Sequence, residues 1–547
     1  MTISDDDADR LAHRVIMASF AGPTVPEWIR GRLAAGLGSV CLFGSNLPTG
    51  LDTDVRSLTD ALHAAGPDCL VAVDEEGGDV TRLDQGTGSD LPGNAALGAV
   101  ADPALTRAIA AGLGQRLAAA GIDLDLAPDA DINSAPDNPV IGVRSFGAQP
   151  AQAAEHVAAF VTGLQEAGVA ACAKHFPGHG DTTVDSHLGL PIVGAGMDLL
   201  ARRELLPFAA AVRAGAAAVM TAHLLVPAVD GAQPATTSAA VLGLLRRGLG
   251  FRGVICTDAL DMVGISGPDG YGSVPRAAVA ALAAGADLLC LGPGHGDAVD
   301  DELVGTVVAA IRRALAAGRL DAERLAGSVA RVDTLAERTR RRVGPGGPDS
   351  TDGGRPASRR LARSVAARAI RVSGAVPDLA GARVIRLRTA AGVAAGEIPW
   401  GIGPALAARL PGTTTLDLNP PPDGREPNPD ASTDTIVANG IRTEVDTSTS
   451  TSTSTSVDVD TDRPLVAVVR DAHRHPWVSR WLAAAAARRP DLVVVEMGWP
   501  GPVDLPGCCQ VWTYGASRVA AEAAADLLAG HSAAIRHRTD AGIQEEH

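Results

Sequence analysis

Through the first 340 residues, short apolar and β-branched runs alternate with Ala/Leu/Arg stretches whose apolar positions recur at helical spacing. The runs with the length and composition of strands are 14–19, 38–44, 69–75, 122–128, 169–175, 217–223, 253–258 and 286–292. Helical segments lie between them, among them 103–120, 150–167 and 275–284. Eight strands joined by helical crossovers predict an α/β fold in which a parallel sheet closes into a (β/α)8 TIM-type barrel. Helical runs at 300–317 and 321–342 end the unit, with Asp321 placed to cap the second.

The pattern then breaks at a Gly/Pro-rich stretch, which reads as a linker over 344–356. Past it, a helix over 357–367, strands near 369–373, 383–388, 465–470, 492–497 and 510–514, and a last helix over 517–528 predict a smaller α/β/α sandwich. The domain reading is therefore a catalytic barrel over 1–343, the linker, and a second domain over 357–547. A strict Thr-Ser repeat at 447–456, flanked by acidic and Pro-rich sequence, cannot bury apolar surface. It predicts a disordered insertion at about 420–462.

Composition narrows the function. The chain of 547 residues carries 47 Lys and Arg against 63 Asp and Glu, a formal net charge of −16 that would repel nucleic acid and anionic membranes. No apolar span reaches the ~20 residues of a membrane helix. Residues 1–10 hold four Asp and no basic cluster leading into an apolar stretch, so a cytoplasmic location is expected. The 7 cysteines sit mostly inside apolar runs, as buried free thiols do. Aromatics are scarce, at 7 Phe, 6 Trp and 2 Tyr, and Trp28 is the sole Trp before the linker. Any ligand site in this chain must therefore rely little on aromatic stacking.

Barrels of this kind place their sites at the C-terminal ends of the strands. Here the third run ends in Asp74-Glu75-Glu76-Gly77-Gly78, the fifth in Lys174-His175-Phe176-Pro177-Gly178-His179-Gly180-Asp181, the sixth in His223 and the seventh in Asp258. Ionisable groups ending apolar strands are unfavourable unless used or paired. The densest stretch, 174–191, also contains Asp185 and His187. Spacing alone leaves three roles open for it: a metal site, a structural Gly-rich loop, or acid/base chemistry.

The run from Lys174 to Thr182 followed by Asp185-Ser186-His187 resembles the signature loop of the β-N-acetylglucosaminidases of glycoside hydrolase family 3, the β-N-acetylhexosaminidase branch in its two-domain form. The resemblance extends to Asp74-Glu75-Glu76-Gly77-Gly78 with Arg82, to Asp131-Ile132-Asn133 followed by 138–147 with Arg144, and to Thr257-Asp258-Ala259-Leu260-Asp261-Met262. It implies Asp258 as nucleophile, His187 as general acid/base and Asp185 as the group that orients it. It also implies Asp74, Arg82, Arg144, Lys174 and His175 as sugar-binding residues, with no metal and no cofactor. His223 and Asp261 are weaker candidates, the first as support and the second as a helix-start carboxylate.

These roles fit the chemistry of retention, which needs a nucleophile on one face of the anomeric carbon and a proton donor on the other. Histidine titrates near neutral pH, and a carboxylate partner suits it to give and take a proton. The expectation is an exo-acting retaining hydrolase that removes non-reducing terminal β-linked N-acetylglucosamine from cell-wall (muropeptide) or chitin-derived oligosaccharides through a covalent intermediate on Asp258. Its partner is a small oligosaccharide, with oligomeric state left open. Two rivals stand beside it: a phosphorylase of the same family, because a neutral histidine repels an incoming phosphate less than a carboxylate would, and a non-catalytic sugar-binding protein. The Thr-Ser tract leaves the role of the second domain open.

Overall fold

The computed structural model describes residues 4–47, 52–267, 272–342, 355–390, 392–420, 452–454, 459, 461–503 and 505–531. Eight parallel strands, β1 (Ile16–Ala18), β2 (Ser39–Leu42), β3 (Leu70–Val73), β4 (Leu124–Asp125), β5 (Ala170–Phe176), β6 (Ala218–Thr221), β7 (Val254–Thr257) and β8 (Leu289–Cys290), form one sheet in the order β7-β6-β5-β4-β3-β2-β1-β8. A parallel bridge from Cys256 to Leu288 brings the two ends together, so the predicted barrel is present and nearly closed.

Strand alternation sorts the core into two layers. Met17, Cys41, Leu70, Ala72, Cys172, Met220, Cys256 and Cys290 fill the barrel interior. Their strand neighbours Ile16, Val40, Val71, Val73, Val219, Ile255 and Leu289 face the surrounding helices. The interior thus holds four of the cysteines, and all seven are buried and unpaired. Burial pushes the Cys172 and Cys256 thiols well above the ordinary range, which leaves them protonated and unreactive.

The flanking helices follow the predicted pattern closely: Pro103–Ala119, Pro150–Glu166, Val274–Ala284, Asp297–Ala316 and Ala322–Arg342. Asp321 caps the last of them, its Oδ1 accepting from the N–H groups of Glu323 and Arg324 at 2.8 and 3.0 Å. Behind β5, Phe176 meets Phe208 edge to face with centroids 5.3 Å apart, both fully buried. Phe208→Ala should destabilise the protein by roughly 3–5 kcal/mol through the cavity it leaves. Urea unfolding followed by fluorescence checks this, and a loss under ~1 kcal/mol would mean that the site collapses around the truncation.

The second sheet contains β9 (Arg371–Ser373), β10 (Arg383–Leu387), β11 (Thr414–Leu418), β12 (Ser452–Ser454), β13 (Leu465–Val469), β14 (Val493–Glu496) and β15 (Cys509–Trp512), in the order β12-β11-β10-β13-β14-β15-β9. All pairings are parallel except β15 with β9. Val384, Val466, Val468, Val493 and Val495 face one side with residues of helices Arg355–Ala369 and Arg518–Leu528. Ile385, Leu387, Ala467, Val469 and Val494 face the other with Trp481 and Leu482 of helix Pro476–Arg488. The result is the expected α/β/α sandwich.

Three details depart from expectation. The predicted linker lies outside the described residues over 344–354, and the helix after it already begins at Arg355. Strand β11 and helix Pro476–Arg488 have no counterpart in the sequence reading; Thr414–Leu418 mixes polar and apolar positions because it is nearly an edge strand. Most of the expected disordered insertion lies outside the described residues, but Ser452–Ser454 of the Thr-Ser tract pairs in register with Leu416, Asp417 and Leu418. An edge strand needs backbone hydrogen bonds more than burial, and β-branched Thr suits an extended chain. Among the described residues, no helix is long and apolar enough to cross a membrane.

Candidate active site

The strand ends deliver their ionisable groups to one rim. Asp74 follows β3, Lys174 and His175 lie near the end of β5, and Asp258 follows β7. The Lys174 ammonium sits between two carboxylates, 2.6 Å from Asp74 Oδ1 and 2.7 Å from Glu76 Oε1. Glu76 in turn takes a two-pronged contact from Arg144, Nε to Oε2 at 3.0 Å and Nη2 to Oε1 at 2.7 Å. Burial would push the Glu76 carboxyl up, but Arg144 and Lys174 outweigh it and hold Glu76 far below the ordinary range. Arg82 Nη2 stands 3.9 Å from Asp74 Oδ2. Asp74, partly open to solvent, lines the cavity and keeps acceptor capacity there.

Asp131 organises the loop after β5. Its carboxylate accepts from the N–H of His179 at 2.7 Å and stands 2.7 Å from His175 Nδ1. With that proton directed to Asp131, His175 Nε2 accepts from Arg144 Nη2 at 3.3 Å. The loop passes so close to the chain after β4 that a Cβ on Gly180 would lie 1.6 Å from the Ile132 carbonyl oxygen, a space that only glycine leaves free. Burial holds His179 down at about 4, so it is neutral. Its ring contacts Thr182 and Ser186, and the Ser186 carbonyl accepts from the Gly264 N–H at 3.0 Å. The loop is thereby tied to the chain that follows β7.

Beyond that anchor comes the Asp185–His187 pair. Asp185 Oδ1 accepts from the His187 backbone N–H at 2.9 Å and lies 2.7 Å from His187 Nδ1. Burial works against the imidazolium, but the Asp185 hydrogen bond and charge, with the field of Asp258, raise His187 above the ordinary imidazole value. Burial likewise opposes the Asp258 carboxylate, yet His175, His223, His187 and the Ala259 N–H at 2.8 Å together hold it below its ordinary value. The opposed shifts favour the ionised carboxylate at Asp258 and the imidazolium form at His187. His223 is fully buried, held by Thr236 and the Ala259 carbonyl, and so supports the turn after Asp258 from below.

Seven of the eight predicted site residues, Asp74, Arg82, Arg144, Lys174, His175, His187 and Asp258, line a single cavity of about 510 Å³, within the usual size of small-ligand sites. Asp185 stands behind His187. Phe43 is the aromatic side chain in the lining. The turn after β10 also reaches this cavity: residues 393–396 line it, and Arg82 Nη2 donates to the Ala394 carbonyl at 2.8 Å. Nearby, Arg470 Nη2 is 2.5 Å from Asp79 Oδ2, and the Ala516 N–H donates to Asp79 Oδ1 at 2.7 Å, which pins the sandwich to the loop that carries Asp74 and Arg82.

Sequence reasoning passed over four participants. Glu76 and Asp131 were inside quoted motifs, and a buried carboxylate next to several cations could have singled them out. Gln85 lines the cavity with a buried, unpartnered Oε1. The loop 393–396 had no signal at all. Asp261, a weak candidate, also lines the cavity; its Oδ1 is unpartnered and burial pushes it up to about 6. Asp129, Asp131 and His175 are close enough together to offer ligand atoms to one metal ion. However, Arg144 Nη2 lies 3.7 Å from Asp129 Oδ2, where it already supplies the positive charge, and a cation would meet the guanidinium.

Known proteins share this sequence pattern and this architecture. Residues 25–335 match the model of the glycosyl hydrolase family 3 N-terminal domain. The chain is 34% identical over 377 residues to beta-hexosaminidase A of Pseudoalteromonas piscicida, covering 64% of this chain and 62% of that protein. It is 37% identical over 297 residues to beta-hexosaminidase LpqI of Mycobacterium tuberculosis, covering 52% of this chain and 74% of that protein. Among solved structures, a family 3 beta-N-acetylglucosaminidase from Paenibacillus superposes with a TM-score of 0.79 at 30% identity, over 97% of each chain. With more than half of its length inside the family model and the same two-sheet architecture in a solved relative, the chain belongs to glycosyl hydrolase family 3.

Proposed function

We propose that the protein is a retaining exo-β-N-acetylglucosaminidase acting on short soluble oligosaccharides derived from cell wall or chitin. In this reading Asp258 attacks the anomeric carbon and forms a glycosyl ester. His187, protonated and oriented by Asp185, gives its proton to the leaving oxygen, then accepts one from the water that releases the sugar. Asp74, Lys174, Arg144, Arg82 and His175 hold the terminal sugar by charge-assisted hydrogen bonds. The observation that carries this is the meeting of Asp258 and the Asp185-backed His187 in one cavity whose other ionisable groups converge on a single small volume. The near absence of aromatic lining supports action on one terminal residue over a long groove.

The first test is release of 4-nitrophenol from its N-acetyl-β-glucosaminide, with the product followed by proton NMR. Rapid appearance of the β-anomer of N-acetylglucosamine supports the reading, and initial release of the α-anomer sinks it. Phosphorolysis is the second reading, favoured by an imidazole where a carboxylate would repel an attacking phosphate. Phosphorus NMR in phosphate buffer decides between them: free sugar alone is expected, and sugar 1-phosphate as the main product would overturn hydrolysis.

A further inference from the structure

The floor of the cavity is charged, but its lip is not. Among the described residues, nine large apolar side chains are markedly exposed, and six of them lie between Val184 and Leu199, in the segment that follows β5. Leu188 of this segment, 74% exposed, lines the cavity mouth directly after His187. Two more exposed valines line the same mouth: Val263, 42% exposed, from the helix Val263–Ser266 after β7, and Val393, 55% exposed, from the turn that follows β10. Three separate elements therefore place apolar groups at one opening.

Each is held in place by polar contacts behind it. The Gly264 N–H donates to the Ser186 carbonyl at 3.0 Å, tying the Val263 helix to the Leu188 loop. Arg82 grips the Ala394 carbonyl at 2.8 Å, next to Val393. Exposed apolar groups that are gathered at an opening and braced from behind mark a binding surface. This one is continuous with the cavity, beside the proton donor, where the leaving group must sit.

We propose that Leu188, Val263 and Val393 form a subsite for the leaving group and that it selects leaving groups carrying an alkyl or other apolar face close to the scissile oxygen. The assignment rests on the glycosidase reading above. Apolar contact needs no fixed hydrogen-bond geometry, so the lip admits leaving groups of different shape while the floor specifies the sugar. Each methylene covered by the lip adds burial that the departing alcohol retains through the first transition state.

The test uses the full chain and N-acetyl-β-glucosaminides of methanol, butanol and hexanol, whose alcohols leave with nearly equal ease. kcat/KM should rise about two- to four-fold per added methylene until the lip is covered. The near-isosteric Val263→Thr and Val393→Thr, and Leu188→Asn, should flatten that rise while leaving the methyl glycoside within about twofold of the parent. If Leu188→Asn also slows the methyl glycoside by disturbing His187, the two threonine variants read the slope alone. A flat series in the parent, or a slope that the variants leave intact, overturns the subsite while the glycosidase reading stands. Failure to cleave any member removes both. An intact slope with a lower solution mass in the variants would assign the lip to a second copy of the chain, again against the proposal.

Discussion

Asp258→Asn is expected to abolish turnover, lowering kcat/KM on a nitrophenyl N-acetyl-β-glucosaminide by roughly 10⁴-fold, about 5 kcal/mol of transition-state stabilisation. The amide is nearly isosteric and can keep the 2.8 Å contact from the Ala259 N–H through its carbonyl oxygen. The fold should therefore survive, and thermal unfolding should stay within a few degrees of the parent. Because the loss is chemical, a smaller variant with an exogenous nucleophile should recover part of it. Asp258→Gly in azide is expected to form the α-glycosyl azide, the product of attack from the face that the carboxylate occupied. Turnover of Asp258→Asn near that of the parent would falsify the nucleophile assignment.

The second large effect lies at the proposed acid/base pair. His187→Ala should slow cleavage of an unactivated oligosaccharide by about 10²–10⁴-fold, the usual contribution of general acid catalysis. The loss should be much smaller on a nitrophenyl glycoside, whose leaving group needs little proton assistance in the first step. Equal losses on both substrates would assign His187 a structural role.

The pH dependence carries the sign of the two shifts. On the proposed mechanism the active form needs Asp258 ionised and His187 protonated. Asp258 is held below its ordinary value, so the acid limb of kcat/KM should lie below the ordinary carboxylate value of about 3.9. His187 is raised, so activity should persist above the ordinary imidazole value of about 6.5 and fall as the pH rises through the raised one. Asp185→Asn removes the charge that does most to raise His187 and leaves burial opposed only by the field of Asp258. The alkaline limb should then move to lower pH while the acid limb stays in place. Movement of the acid limb, or of neither, would show that Asp185 does not set the proton affinity of His187.

Much of this protein could be read from spacing. The eight barrel strands appear where short β-branched runs predicted them, because a strand buried on both faces reads as a continuous apolar run between helical segments. Most of the candidate site residues stand out because they end those runs, where a charge is conspicuous, and Asp185 and His187 because they are two positions apart, so one turn brings them together. The sandwich was read less completely. Thr414–Leu418 mixes polar and apolar positions near the sheet edge, and Ser452–Ser454 pairs through backbone groups that leave no apolar pattern.

What the sequence determined by itself is thus the order of the elements and the chemistry at each strand end, since both follow from side chains and their immediate neighbours. The tertiary structure alone decided which of those groups share a partner and what closes over them. Lys174 and Arg144 meet on Glu76, and Asp131 clasps the loop of His175 and His179, across separations of 44 to 98 residues. The loop 393–396 covers Arg82 from more than 300 positions away. Leu188, Val263 and Val393 become one apolar lip only when three distant segments are folded against each other. No local periodicity encodes such contacts, because they are set by how helices and sheets pack, and it is there that the charged floor and the apolar mouth of the cavity are joined.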